Sequence, residues 1–331
     1  MEGQLVDFIS ASSVAVYGVT VLQDELYIAR DRSNVIEVFD VNTSLTSSSC
    51  RRRLAVSMTS LPQQVRPLDL TSCAVTWSLY VSDAANGRLH RVEPTSGRVV
   101  DSWRVDGRAW GVSVTASGMV LVCCRSAGLL CEYTSSGQLA RRLRLPDDVA
   151  QPVHAVEMRS QFVVSHHDVD ESNAAGARVL LVDDTGAIQR DHCQLSQPHH
   201  LAAVTDDVRS LVAVADCGNN RVKLLDSETF EVVAVIVDNR HLRRPYRLCV
   251  RQRRLYVGQW DGRVLVYQLS PAASTAAAQP HTKWMNKACH FRHSTTFRIS
   301  QICYSPQLSV NTDNSRHGTL YMLTKFEGGL R

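Results

Sequence analysis

SLVAVADCGNNRVKLLD, residues 210–226, reads as two strands and a turn. SLVAVAD is apolar and rich in small and β-branched residues. CGNN is a Gly/Asn turn, and RVKLLD is a second short strand. Related hairpins recur at 26–40 (LYIARDRSNVIEVFD), 79–93 (LYVSDAANGRLHRVE), 119–133 (MVLVCCRSAGLLCEY), 162–183 and 255–269 (LYVGQWDGRVLVYQL). Their first residues are Leu26, Leu79, Met119, Phe162, Leu211 and Leu255, so the repeat is roughly 40–50 residues of strand alone. Such a period marks the blades of a β-propeller.

Each unit divides into four strands, a to d. In the second unit these are LDLTSCAV, SLYVSD, RLHRVE and RVVDSWRV. Helical periodicity is absent. The last unit stops at Ser270-Pro271 without a strand d, while QLVDFIS (4–10) precedes the first unit as a spare strand. Closure of a six-bladed ring by that N-terminal strand follows, because an open sheet edge invites aggregation. The first unit is expected to carry a serine- and arginine-rich insert before its strand d. Residues 1–270 are thus expected to form the all-β propeller. From Pro271 the chain turns to PAASTAAAQP, a low-complexity linker, and then to a basic tail that is expected to be mostly disordered.

Composition excludes several classes. The 331 residues hold no apolar run long enough to cross a membrane as a helix, and MEGQLVDFIS has no signal-peptide pattern. Ten cysteines without C-x-x-C pairs predict reduced thiols and a cytoplasmic protein. Net charge is +4, and residues 271–331 carry seven Lys/Arg against two acids. The propeller itself is close to neutral, so bulk charge does not indicate nucleic-acid binding.

ADCGNNRVKLLD resembles the core of an NHL repeat, and QPHHLAAV resembles the opening of strand a in that family. The resemblance covers residues 5–270. It is specific in unit five and degenerate in units three, four and six, where Cys124-Arg125 and Gln259 depart from the Asp of the motif. It implies that Asp216 closes strand b and accepts turn N–H groups. It also implies that Gly218, Asn219 and Asn220 supply turn geometry and that Arg221 pairs with a carboxylate. The family forms the recognition half of tripartite-motif ubiquitin ligases, and some members bind single-stranded RNA. No RING or B-box Cys/His pattern is present in this sequence.

Strand-a starts line the channel mouth of a propeller. At one register stand Gly18, Asp69, Gly111, His154, His200 and Arg247; one residue earlier stand Tyr17, Leu68, Trp110, Val153, His199 and Tyr246. The amidating lyases that carry a similar propeller hold zinc through histidines that follow proline at these starts. Only Pro198-His199 fits that pattern here, and one histidine is not a three-ligand zinc site. Calcium-dependent propeller hydrolases need several carboxylates, and only Asp69 is suitably placed. No metal, cofactor or catalytic residue is therefore assigned, and a metal-dependent lyase or hydrolase is the last alternative.

The basic stretch NRHLRRPYRLCVRQRR (239–254) has no acid. Arg240, Arg243 and Arg244 are placed in a d–a loop on the mouth face. Arg247 is expected to give a forked contact to a phosphate or carboxylate, with Tyr246 as a stacking surface. His154, His200, Asp69, Trp110 and Trp260 complete the expected binding set. The expected function is non-enzymatic recognition of a protein or peptide, with single-stranded RNA as the alternative partner and no membrane.

Overall fold

The computed structural model describes residues 2–9, 14–45, 50–56, 65–149, 151–166, 177–205, 210–236 and 240–270. Expectations for residues 271–331 lie outside them. The described chain begins with β1 (Glu2–Ile9). The first blade is β2 (Val16–Leu22), β3 (Glu25–Arg30), β4 (Val35–Asp40) and β5 (Cys50–Ala55). The second is β6 (Asp69–Cys73), β7 (Ser78–Asp83), β8 (Arg88–Val92) and β9 (Val99–Arg104). The third is β10 (Ala109–Val114), β11 (Val120–Cys124), β12 (Leu129–Tyr133) and β13 (Leu139–Arg144). The fourth is β14 (Pro152–Met158), β15 (Gln161–His166), β16 (Arg178–Val182) and β17 (Ile188–His192). The fifth is β18 (Pro198–Thr205), β19 (Ser210–Asp216), β20 (Arg221–Asp226) and β21 (Val232–Ile236). β22 (Pro245–Arg251), β23 (Arg254–Gln259) and β24 (Val264–Ser270) form the sixth, which β1 completes.

Every blade is an antiparallel four-stranded sheet, and the innermost strands β2, β6, β10, β14, β18 and β22 contact one another in a closed cycle. β1 pairs with β24 from Glu2↔Ser270 to Ile9↔Val264, with a bulge between Leu5 and Asp7. The six-bladed ring and its N-terminal closure are as the repeat predicts.

The core is a set of wedges between blades. Ala213, Leu224 and Leu248 pack with Leu265 between blades five and six, and Tyr27, Ile36 and Leu79 pack between blades one and two. Strands b and c are sandwiched by neighbours on both faces, so β7 and β19 are buried almost throughout, with an apolar centre flanked by Ser and Asp. Each fully buried Val or Leu in them contributes about 1.5–3 kcal/mol. The outer strands alternate exposed and covered residues, as in β13.

One expectation needs correction. The arginines after Cys50 are not an insert before strand d; Arg51, Arg52 and Arg53 lie inside β5. Carboxylates on the inner strands draw them in. Arg52 gives both amines to Glu25 at 2.6 Å, Arg51 pairs with Asp40, and Arg53 lies 3.9 Å from Glu37. No helix among the described residues is long and apolar enough to cross a membrane.

Candidate recognition surface at the channel mouth

The strand-a starts converge as their alignment predicts, and four of them close the channel. Asp69, His154, His200 and Arg247 come from blades two, four, five and six and are all buried. Arg247, 1% exposed, lies with Nε 3.3 Å from Asp69 Oδ1. It donates from Nε to Tyr17 O (2.8 Å), from Nη1 to Tyr246 O (3.1 Å) and from Nη2 to Leu68 O (2.9 Å). Its fork therefore ties blades six, one and two together across the axis. This overturns the outward-facing role expected of Arg247. The acid beside it is Asp69, from the other side of the ring.

The two remaining ring positions are glycines for a steric reason. A Cβ on Gly111 would sit 2.4 Å from Val153 O and 2.8 Å from the His154 ring, and one on Gly18 would sit 2.5 Å from Leu70 Cβ. The small residues let the polar ones fill the axis. The His154 and His200 rings lie 3.6 Å apart by their centroids.

Burial works to raise the Asp69 carboxyl, but His200 and Arg247 outweigh it and hold the group well below the usual carboxylate range. Burial pushes both histidines down, His154 strongly, against the pull of Asp69. At neutral pH the ring thus holds one carboxylate, one guanidinium and two neutral imidazoles.

Asp69, His154 and His200 bring three ligand-type atoms within 4.8 Å of one another. Their hydrogen bonding does not suit a metal. His154 Nδ1 accepts the Leu201 N–H and His200 Nδ1 accepts the Leu248 N–H, each at 3.4 Å. The proton of each neutral ring therefore sits on Nε2, the atom facing Asp69. A metal ligand needs the opposite tautomer, with the second nitrogen donating to an acceptor. The guanidinium of Arg247 already supplies the positive charge.

Above this plug the mouth is floored by aromatic rings. Tyr246 stacks on Tyr17 at 5.4 Å, meets Trp260 edge-on at 5.2 Å and lies 4.1 Å from His199. Tyr246 is itself buried, so it supports the floor rather than offering the open stacking face expected of it. Trp260 is 41% exposed, and the Arg244 guanidinium lies 5.3 Å over its ring. Arg240, Arg243 and Arg244 are exposed on the d–a loop of blade six, as their sequence position predicts. The loop is pinned by main-chain donors: the Arg243 N–H bonds Gln259 Oε1, and the Arg244 N–H bonds Asn220 Oδ1 at 2.7 Å.

The repeat turn is structural, with two differences from its expected wiring. Buried Asp216 accepts the Ser196 N–H (2.7 Å) from the preceding loop, along with the Asn219 amide and Arg221 Nε (2.6 Å). Its main-chain donor thus comes from the preceding loop rather than from the turn, whose Asn219 and Arg221 side chains it also holds. The left-handed residue is Asn220, at φ 51°, whereas Gly218 is needed because a Cβ there would meet Ser196 Oγ at 2.2 Å.

Arg125 was not among the expected binding residues, yet it belongs to this surface. It lies 4.2 Å over the Trp110 ring and is an electrostatic neighbour of Tyr246, from the blade on the far side of the axis. Its only sequence signal was the break in the motif at Cys124-Arg125.

No protein-family model matches the sequence, and no curated protein matches it. Solved structures do share the architecture. Selenomethionine-substituted virginiamycin B lyase from Staphylococcus aureus superimposes with a TM-score of 0.58 at 11% identity, covering 81% of this chain and 100% of that one. A streptogramin B lyase gives 0.55 at 12% identity, over 82% and 87% of the two chains. Hydrazine synthase from Kuenenia stuttgartiensis gives 0.56 at 13% identity, over 79% and 97%. At these identities the likeness is one of fold, a β-propeller.

Proposed function

We propose that the protein is a non-enzymatic recognition module, an NHL-like propeller that binds a protein or peptide partner on its channel-mouth face. The observation that carries this reading is the exposed Trp260, held by Tyr17, Tyr246 and Arg244 directly above a channel filled by its own side chains. Rigid Trp, Tyr and Arg clusters of this kind dominate binding energy at protein interfaces. The ring beneath has its carboxylate and guanidinium paired and both imidazole Nδ1 atoms taken up by main-chain N–H groups, which favours a platform over a reaction centre. All eight cysteines among the described residues are free thiols, in keeping with a reducing compartment.

The test is proximity labelling in cells with the full chain, its Trp260→Ala variant and the double variant Arg243→Glu/Arg244→Glu. Partners specific to the mouth face should be lost from both variants while their melting curves stay intact. Unchanged labelling by folded variants would place recognition elsewhere. Exposed Arg240, Arg243 and Arg244, the last of them over an indole, also suit single-stranded RNA. That alternative requires crosslinking to RNA and an affinity that falls steeply with salt.

A further inference from the structure

Three arginines are buried among the described residues: Arg30, Arg125 and Arg247. Arg30 Nε lies 2.9 Å from Glu37, and Arg247 Nε lies 3.3 Å from Asp69. Arg125, 7% exposed, has no carboxylate partner among the described residues. Its Nε and Nη2 both donate to the neutral Gln151 Oε1 at 3.3 Å, and Nη1 donates to no described residue. Its charged neighbour is another cation, Arg108, exposed on the preceding loop. A buried charge without a counter-charge is costly. Here the ring face of Trp110 offsets part of that cost by cation–π attraction.

The fold does not require a cation at this position. Arg125 opens the three-residue turn Arg125–Ala127 after strand b, closed by left-handed Gly128 at φ 63°. The matching turn of blade five opens with Cys217, and the matching residues of blades one, two and six are Asp31, Ala84 and Trp260. The three-residue turn itself thus accommodates a thiol, and the equivalent position elsewhere holds a methyl, an acid or an indole. A second donor is left over beside it: the indole Nε1 of Trp110 is buried and has no hydrogen-bond partner.

We propose that Arg125 and Trp110 form a receptor for one carboxylate, an acidic side chain of the peptide taken by the mouth face. The inference rests on the recognition reading above and names what that face selects. The free edge of the guanidinium and the indole N–H offer donors for the two oxygens of a carboxylate, and one buried positive charge balances one negative charge. A phosphate dianion would call for a second committed cation. Trp260 and Tyr17, across the axis, supply the apolar contact for residues flanking the acid.

The experiment uses the full chain with its tryptophans labelled with 15N at the indole nitrogen. The Trp110 N–H signal is identified by its loss in Trp110→Phe. Sodium acetate is exchanged for sodium chloride at constant ionic strength, and inorganic phosphate is titrated in parallel. The Trp110 signal should shift saturably, with half-saturation on the order of 10–100 mM, the range of one charge-assisted contact. In Arg125→Gln the saturable shift should vanish, while melting is unchanged or raised because an uncompensated charge has been removed. A flat Trp110 signal overturns the proposal, as does an equal shift in Arg125→Gln. A melting temperature lowered by Arg125→Gln overturns it too, since that marks a structural role. A response to phosphate at lower concentration than to acetate refutes the carboxylate assignment. A clear acetate response with partner labelling unaffected by Arg125→Gln keeps the receptor and sinks the mouth-face recognition reading instead.

Discussion

Arg247→Met removes the cation from the channel while retaining most of the side chain's length. Asp69 would keep its hydrogen bonds from the Leu70 and Val112 N–H groups, both 2.9 Å, but would lose the guanidinium beside it. Three carbonyls, of Tyr17, Leu68 and Tyr246, would lose their donor. Breaking a buried ion pair from one side costs about 3–5 kcal/mol, a large part of a total stability of about 5–15 kcal/mol. Equilibrium unfolding of the full chain in guanidinium chloride at pH 7 measures this. With a slope of about 4 kcal/mol per molar, the midpoint falls by about 1 M.

The double variant Asp69→Asn/Arg247→Met leaves no unpaired charge and should recover much of the loss, with a coupling of about 0.5–3 kcal/mol. The sign with pH is also fixed. In the native protein the depressed Asp69 contributes stability above its unfolded pKa of about 3.9, and that contribution is lost as pH falls through the folded value. In Arg247→Met burial raises the same carboxyl, so the gap between the two proteins narrows as pH falls from 7 towards 4. A loss under about 1 kcal/mol, or no recovery in the double variant, would refute the view of the channel as a mutually neutralised plug.

Deleting residues 1–10 removes β1 and bares the edge of β24; the truncated chain should aggregate or lose its cooperative melt, and an unchanged melting curve would sink the closure role. His154 and His200 are held below their ordinary value by burial, so below pH about 6.5 the unfolded chain binds more protons than the folded one. Unfolding free energy should therefore fall as pH drops below about 6.5, by at most about 1.4 kcal/mol per pH unit for each histidine, and His200→Gln should make that fall shallower; a flat profile from pH 7.5 to 5.5 would refute it.

The architecture was legible because a propeller repeats its local chemistry. The hairpin at 210–226 fixes a period, and the period alone places Gly18, Asp69, Gly111, His154, His200 and Arg247 at one level of the ring. The direction of the Arg247 side chain was not legible, since its partners lie some 180 and 230 residues away in sequence, at Leu68 and Tyr17. Its fork turns inward because main-chain carbonyls of three blades converge on the axis, which is a property of the closed ring. Asp216 behaves similarly: its Asx-type position was readable, but its bond to the Ser196 N–H depends on the loop from the neighbouring blade. Arg125 went unread because a break in a repeat looks like decay of the motif. Only its burial without a carboxylate among the described residues distinguishes it from decay.

The pairing of β1 with β24 sets a schedule for the chain as it is made. Roughly 250 residues lie between Ile9 and Val264, and at about 5–20 residues per second their synthesis is separated by on the order of 10–50 s. Throughout that interval β1 has no ladder to join, although five blades can already fold as units behind it. Ile9, which ends up beneath Val264 and Val266, stays in water until the final blade arrives. The ring therefore fastens only on chains translated into β24, and a polypeptide cut short before Val264 retains an unpaired strand, with Ile9 still bare, for the chaperone system to find.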